Sequence, residues 1–330
     1  MARLQISLAC CAYDRTTAIF DGRAPIEGCE IFATPMHPEE AFHRAFKYQE
    51  FDVTELSFSS YMMTTAREES PYIGIPAFVS RLFRHSSIYI RTDRGITAPE
   101  DLKGKRVGVP EYQMTAALWV RGILEDEYGV RPSDIRWHNG GLEEPGREER
   151  APLRLPDEIE LESLPVDQTL TQWLADGKLD ALITARAPSC FLEGAPDVDR
   201  LFPDYPAVEA AYYKKTGMFP IMHLIGIRRS IYEKHPWVAV NVYDAFLRAK
   251  ALAYEELRRI GHLQVTLPWP VAAKDQASRI MGADYWSYGA SANALEIAAM
   301  TRYSCDQGLS ERLLGAEDLF APSTFELSKV

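Results

Sequence analysis

The chain has 330 residues, 46% of them hydrophobic and 25% charged, with a formal net charge of -11. That balance belongs to a soluble globular protein with room for two ordinary domains, each burying its own core. The negative surface excludes nucleic acid as a general partner, and no window approaches the roughly 18 apolar residues of a membrane span. An anion must be met by local positive charge.

The amino terminus, "MARLQISLACCAYDRT", has alternating Leu4, Ile6, Leu8 and Cys10, as in a first strand. It lacks a long apolar run with a small-residue cleavage site, so a cytoplasmic location is expected. Five cysteines show neither CxxC pairing nor metal spacing, as for reduced thiols. A helix follows over 39–49, with Phe42, Ala45 and Phe46 on one face. "FDVTELSF" then reads as a strand leading into a polar turn over 57–61, and "SSIYIRTD" as another strand.

Pro99 and the two acids after it suit a short helix closed by Gly104. "RVGV" is a strand, residues 110–115 a turn, and 114–128 an amphipathic helix. Between 140 and 165 the charged, proline-rich "GGLEEPGREERAPLRLPDEIELESLP" reads as a solvated excursion or hairpin. "QTLTQWLADGKLDALITA" gives helix, Gly177 cap and strand. A further strand and a long helix follow, and the remainder from Ala272 is mostly helical. Strands and helices alternate almost throughout, which indicates an α/β class with largely parallel sheets.

"DLKGKRVGVP" with its following turn and helix, and "LADGKLDALIT" downstream, resemble the type II periplasmic-binding-protein fold. The resemblance implies two α/β lobes with a ligand cleft at the hinge. The first lobe would take 1–90 plus 223–330 and the second 91–222, with crossovers near 88–94 and 219–227. A narrower resemblance covers nearly the whole chain. "YDRT" (13–16), "EFDVTELSFSSY" (50–61), "RLFRHSSIYI" (81–90), "GKRVGVPEYQMTA" (104–116), "EEPGREE" (143–149) and "GMFPIMH" (217–223) resemble the 4,5-dihydroxyphthalate decarboxylase family. "RLFPDY", "LPWP" and "LFAP" agree with it. The pair Cys11-Ala12 departs from the Gly-Asp-like pair expected there.

The resemblance implies a carboxy-lyase of aromatic catabolism acting on a small aromatic dicarboxylate. No organic cofactor is expected; no metal-ligand spacing is present, and a divalent ion is not excluded. Such an enzyme must hold a dianion, deliver a proton to one ring carbon and place a base beside a phenol. Arg15, Arg81 and Arg84 are the candidate carboxylate clamps, Arg81 ahead of Arg84 because "FVSR" would face it into the cleft. Arg186, after a second-lobe strand, completes the clamp on closure. Ser59, Ser60, Tyr61, Tyr112, Gln113, Thr115 and Phe219 are candidate neutral contacts. His85 is the candidate proton shuttle, with His223 facing it across the hinge. Asp14 and Glu111 lie at strand ends, where α/β ligands bind, and Glu111 is the candidate base.

Each assignment has a structural alternative: ion pairs for the arginines, packing for the histidines, a helix-start acid for Glu111. Two rival functions remain, a solute-binding protein for an aromatic acid and a decarboxylase of another hydroxylated aromatic acid. A homo-oligomer is compatible with the apolar faces of 238–257 and 295–303, which equally suit a core.

Overall fold

The computed structural model describes residues 3–150 and 152–325. The chain forms two compact units, 1–81 with 221–297 and 314–330, and 82–220 with 298–313. Against the expected boundaries, 82–90 and 298–313 both group with the second unit, and the first passage falls at 81/82 rather than over 88–94.

In chain order the first unit opens with β1 (Leu4–Cys10), α1 (Asp14–Phe20), β2 (Cys29–Pro35), α2 (Pro38–Tyr48), β3 (Val53–Ser57), α3 (Phe58–Ala66) and β4 (Tyr72–Arg81). The second contains β5 (Ile88–Arg91), β6 (Arg106–Val109), α4 (Thr115–Tyr128), β7 (Arg136–Asn139), β8 (Leu161–Ser163), α5 (Leu170–Ala175), β9 (Ala181–Ile183), α6 (Ser189–Leu192), β10 (Val198–Arg200) and α7 (Tyr205–Thr216). Then come β11 (Ile221–Arg228), α8 (Arg229–Lys234), α9 (Trp237–Arg258), α10 (Pro270–Met281), α11 (Ala294–Asp306) and α12 (Ala316–Leu319).

The first sheet has the order β2-β1-β3-β11-β4. β1 runs parallel to β2 and β3, while β11 is antiparallel to both β3 and β4. All five residues of β3 are buried, as a central strand covered on both faces requires. β4 is absent from the sequence reading because Gly74 and Pro76 interrupt it; it is an edge strand, where proline is tolerated. The expected polar turn over 57–61 is the start of α3. Its serines open a helix whose Phe58, Tyr61, Met62 and Met63 are fully buried. α9 packs on α1 and buries Val238, Val242, Phe246 and Ala249, so that apolar face serves the core of its own unit. The two valines and Phe246 each contribute about 1.5–3 kcal/mol.

The second sheet has the order β10-β5-β9-β6-β7-β8, parallel from β9 to β8. α4 begins one residue later than expected and ends at Gly129, whose φ of 63° needs glycine's freedom. The 140–165 segment is not a solvated excursion. It buries Leu142, Ile159 and Leu164 and adds β8 beside β7. Apolar residues spaced among its charges anchor it.

Candidate active site

In the first unit the chain leaves β1 toward β2 on one side and returns through β3 on the other. Sheets of this order bind ligands at the carboxyl ends of β1 and β3. There the polar groups converge. Glu55, in the middle of β3 and fully buried, accepts His223 Nδ1 at 2.7 Å and the Tyr13 hydroxyl at 2.9 Å on Oε1. Its Oε2 accepts the Cys11 backbone N–H at 2.9 Å. Glu55 pairs with Ile225, two residues beyond His223 on β11, so the carboxylate and imidazole share one face of the sheet. The β11–β4 register shifts on both sides of His223, and such bulges re-aim a side chain.

Burial alone would raise the Glu55 pKa. The His223 hydrogen bond and charge, the Cys11 N–H and the Tyr13 hydroxyl outweigh it and hold the carboxyl below its ordinary value. Burial and the adjacent carboxylate push the Tyr13 hydroxyl far up, so it stays a donor. The Tyr13 loop is fixed because Thr16 Oγ1 accepts the Tyr13 N–H and donates to the Cys11 carbonyl. With Nδ1 committed to Glu55, Nε2 is the His223 nitrogen placed to meet another group. Its side chain remains 18% exposed.

Arg15 continues the same cluster. Its guanidinium lies between two rings, 4.2 Å from the Tyr13 centroid and 3.9 Å from that of Trp286. Nε donates to the Val79 carbonyl at 2.7 Å and Nη1 to Asp14 at 3.0 Å. The two rings, the Val79 carbonyl and Asp14 thus hold the guanidinium, with Nη2 as the group placed to meet a planar anion. Asp14 itself is half exposed at the first position of α1 and serves Arg15 and the helix start.

Arg81 does not offer itself to a ligand in this unit. It is buried, donating to the Ser287 carbonyl at 2.7 Å and to Asn293, with Glu296 at 3.5 Å. Burial pulls its pKa below the ordinary arginine value. Ser59 is fully buried in α3, Ser60 donates to Ser57, and the Tyr61 hydroxyl joins the Leu319 carbonyl to the Gly74 N–H. Tyr61 is structural.

In the second unit β6 delivers Glu111, a buried carboxylate flanked by Arg147 and, at 3.3 Å, Arg150. It is held as one partner of two arginines rather than left open as a base. Glu149, from the same segment, accepts the backbone N–H groups of Tyr112 and, at 3.3 Å, Gln113, together with Asn139 Nδ2 at 2.9 Å. The chain's own carboxylate therefore takes the N–H groups of the loop just before α4, Gln113 among them. Thr115 is buried in the first turn, and the Tyr112 ring lies 3.7 Å beneath the Arg121 guanidinium. Arg186 is exposed in the loop after β9.

His85 and Arg84 are buried near the start of the second unit. The His85 ring packs edge-on against Phe202 and Tyr212, and burial pushes its pKa down to about 4. It is a neutral imidazole at pH 7, unlike the expected shuttle. Burial also lowers Arg84 to about 10, and Glu209 beside it is pushed up to about 7. Phe219 stacks on Phe83 at 4.6 Å.

Sequence reasoning missed Glu55, Trp286, Arg147 and Glu149. The available signal for Glu55 was an acid inside an otherwise uncharged strand, "VTELS". Among the described residues no group of three or more His, Cys, Asp or Glu is placed to hold a metal ion, and no helix is long and apolar enough to cross a membrane.

No family model matches the chain. Over 99% of both chains it superposes on the periplasmic aliphatic sulphonate binding protein SsuA from Escherichia coli, with a TM-score of 0.54 and 12% identity. The desulfurization enzyme DSZB gives 0.51 and 13%, again over 99% of both chains. The protein is thus of the α/β class with the type II periplasmic-binding-protein-like fold. It is 45% identical over its full 330 residues, and over the whole of the relative, to 4,5-dihydroxyphthalate decarboxylase of Comamonas testosteroni. The protein of the same name from Pseudomonas putida is 48% identical over 214 residues, 65% of this chain and 83% of that one. The chain belongs to the 4,5-dihydroxyphthalate decarboxylase family, a family of carboxy-lyases.

Proposed function

We propose that this chain converts 4,5-dihydroxyphthalate to protocatechuate and carbon dioxide, with His223 as proton donor and Arg15 as a carboxylate partner. The observation that carries the residue assignment is the unbroken run Arg15–Tyr13–Glu55–His223, which joins a guanidinium to an oriented imidazole. Family membership supports the reaction.

Each carboxylate of that substrate stands para to a hydroxyl. Electron density from the hydroxyl oxygen reaches the carbon that bears the leaving carboxylate. Protonated His223 gives its Nε2 proton to that carbon, and the ring briefly loses aromaticity. The carbon–carbon bond then breaks, its electron pair returns to the ring, and carbon dioxide leaves. One proton is taken up per turnover. The substrate's own hydroxyl acts as the electron source, so this route calls for no organic cofactor. Glu55 stabilises the imidazolium and fixes its tautomer, a role worth about 10²–10⁴ in rate for such acid–base groups. Arg15 holds the carboxylate that stays.

A cytoplasmic location belongs to this reading. All five cysteines are free, which supports a reducing compartment; fractionation of producing cells tests it. For the reaction, chelator-treated protein is incubated with 4,5-dihydroxyphthalate while carbon dioxide and protocatechuate are measured. Turnover that His223→Ala abolishes and Arg15→Ala weakens through KM is the expected result. Tight binding without turnover on any hydroxylated phthalate would point instead to a solute-binding protein. Turnover only on another hydroxylated aromatic acid would retain the enzyme and replace its substrate.

A further inference from the structure

We propose that Trp286 is a positioning residue for the carboxylate-binding arginine, and that Arg81 acts through it. The proposal rests on the reading of Arg15 as the substrate's carboxylate partner.

A guanidinium on a flexible stem recognises a planar carboxylate well only if its rotation is restricted beforehand. Tyr13 covers one face of Arg15 and is itself tied to Glu55. The indole of Trp286 supplies the other contact, 3.9 Å away. Without it the guanidinium would keep its bonds to Val79 and Asp14 but could swing off the Tyr13 ring.

Trp286 is held with more polar anchors than packing alone would need. Its indole N–H donates to the Phe78 carbonyl at 2.8 Å, on the same strand as Val79, so Arg15 and Trp286 are both referenced to adjacent β4 carbonyls. Its backbone N–H donates to the Tyr254 hydroxyl at 2.8 Å, and its carbonyl accepts from Lys250 Nζ at 3.1 Å. The next carbonyl, that of Ser287, accepts from Arg81 Nη2 at 2.7 Å, and Arg81 also binds Asn293, which donates to the Gly289 carbonyl. Two buried cations, Arg81 and Lys250, thus grip the turn at two consecutive carbonyls, those of Ser287 and Trp286. Burying two such charges is costly unless they are well partnered. A turn with no positional task would not need both. This explains why Arg81 lies in the cluster without presenting its guanidinium to a ligand: it fixes the plate that orders Arg15.

The test compares steady-state kinetics on 4,5-dihydroxyphthalate for Trp286→Leu, Trp286→Phe, Arg81→Lys, Arg15→Ala and the double variant Arg15→Ala with Trp286→Leu. Thermal melts establish which variants are folded. Trp286→Leu should raise KM about tenfold with kcat within about threefold of wild type. Trp286→Phe keeps a ring plate and should recover most of that loss. Arg81→Lys should raise KM in the same direction by a smaller factor. In the double variant Trp286→Leu should add nothing to the loss caused by Arg15→Ala, since its effect passes through that arginine. An unchanged KM in folded Trp286→Leu overturns the proposal, as does an additive double variant. A collapse of kcat with KM unchanged overturns it too. Should Arg15→Ala itself leave KM unchanged, the reading of Arg15 fails first, and the proposal fails with it. If Trp286→Leu does not fold, the Trp286→Phe and Arg81→Lys shifts in KM decide the question by the same signs.

Discussion

His223 Nδ1 lies 2.7 Å from Glu55 Oε1, between adjacent antiparallel strands that are far apart in the chain. The carboxylate has no exposed surface, and three donors keep it ionised against burial. Such a pair fixes which imidazole nitrogen faces a ligand.

Glu55→Gln tests that directly. An amide preserves the shape but loses the charge that stabilises imidazolium, and its tautomer demand changes. We expect kcat to fall by about 10²–10⁴ with KM nearly unchanged. A loss confined to KM would contradict the acid–base role.

His85 makes stability depend on pH. Its folded pKa of about 4 lies below the unfolded value, so the folded state binds fewer protons across the interval between them. The contribution is fully present above about pH 6.5 and is lost as pH falls toward 4, by at most about 3 kcal/mol. Urea unfolding of wild type and His85→Gln at pH 4.5, 5.5 and 7 should show the variant as the flatter of the two. Parallel pH dependences would remove His85 from the account.

Glu111 with Arg147 and Arg150 is a buried carboxylate under two cations. Removing Arg147 and Arg150 together should cost about 3–5 kcal/mol, because it leaves an uncompensated charge inside. Adding Glu111→Gln to that variant should restore part of the loss. Denaturant midpoints for the set check this, and an additive outcome would mean the three residues are energetically independent.

Gly122 sits within α4, where alanine would ordinarily gain about 1 kcal/mol. A methyl group there would run into the Tyr303 ring, and that ring is held by a hydrogen bond from Tyr303 to Asp126. Overpacking costs about 1–3 kcal/mol, so crowding outweighs propensity. Gly122→Ala should lower the melting temperature. A raised one would show that Tyr303 moves freely.

Much of the architecture was legible because period and punctuation agree with tertiary demand: the β1 alternation, the amphipathic helix ending at Tyr128, the turn at Gly177. β4 was hidden by Gly74 and Pro76, which mark an edge strand as readily as a loop. Positive charge at 81–85 was visible, but its use was not. A guanidinium near a strand end reads alike whether it meets a ligand or, as with Arg81, the carbonyl of Ser287. The same limit applies to His85, whose aromatic surroundings come from residues 202 and 212. Glu149 escaped because its partners, the N–H groups after β6, are distant in sequence.

The central position of β11 bears on how the molecule is made. Among the described residues β4 pairs with no strand but β11, and β3 meets β11 on its far side, so the first sheet waits for residues 221–228 to emerge during synthesis. Until then two strand edges stand open, a period of exposure to mispairing that nascent-chain chaperones would have to cover. Because His223 arrives on that late strand, a truncated product stopping before it has no Glu55–His223 pair. Completion of the sheet and formation of the Glu55–His223 pair are one event.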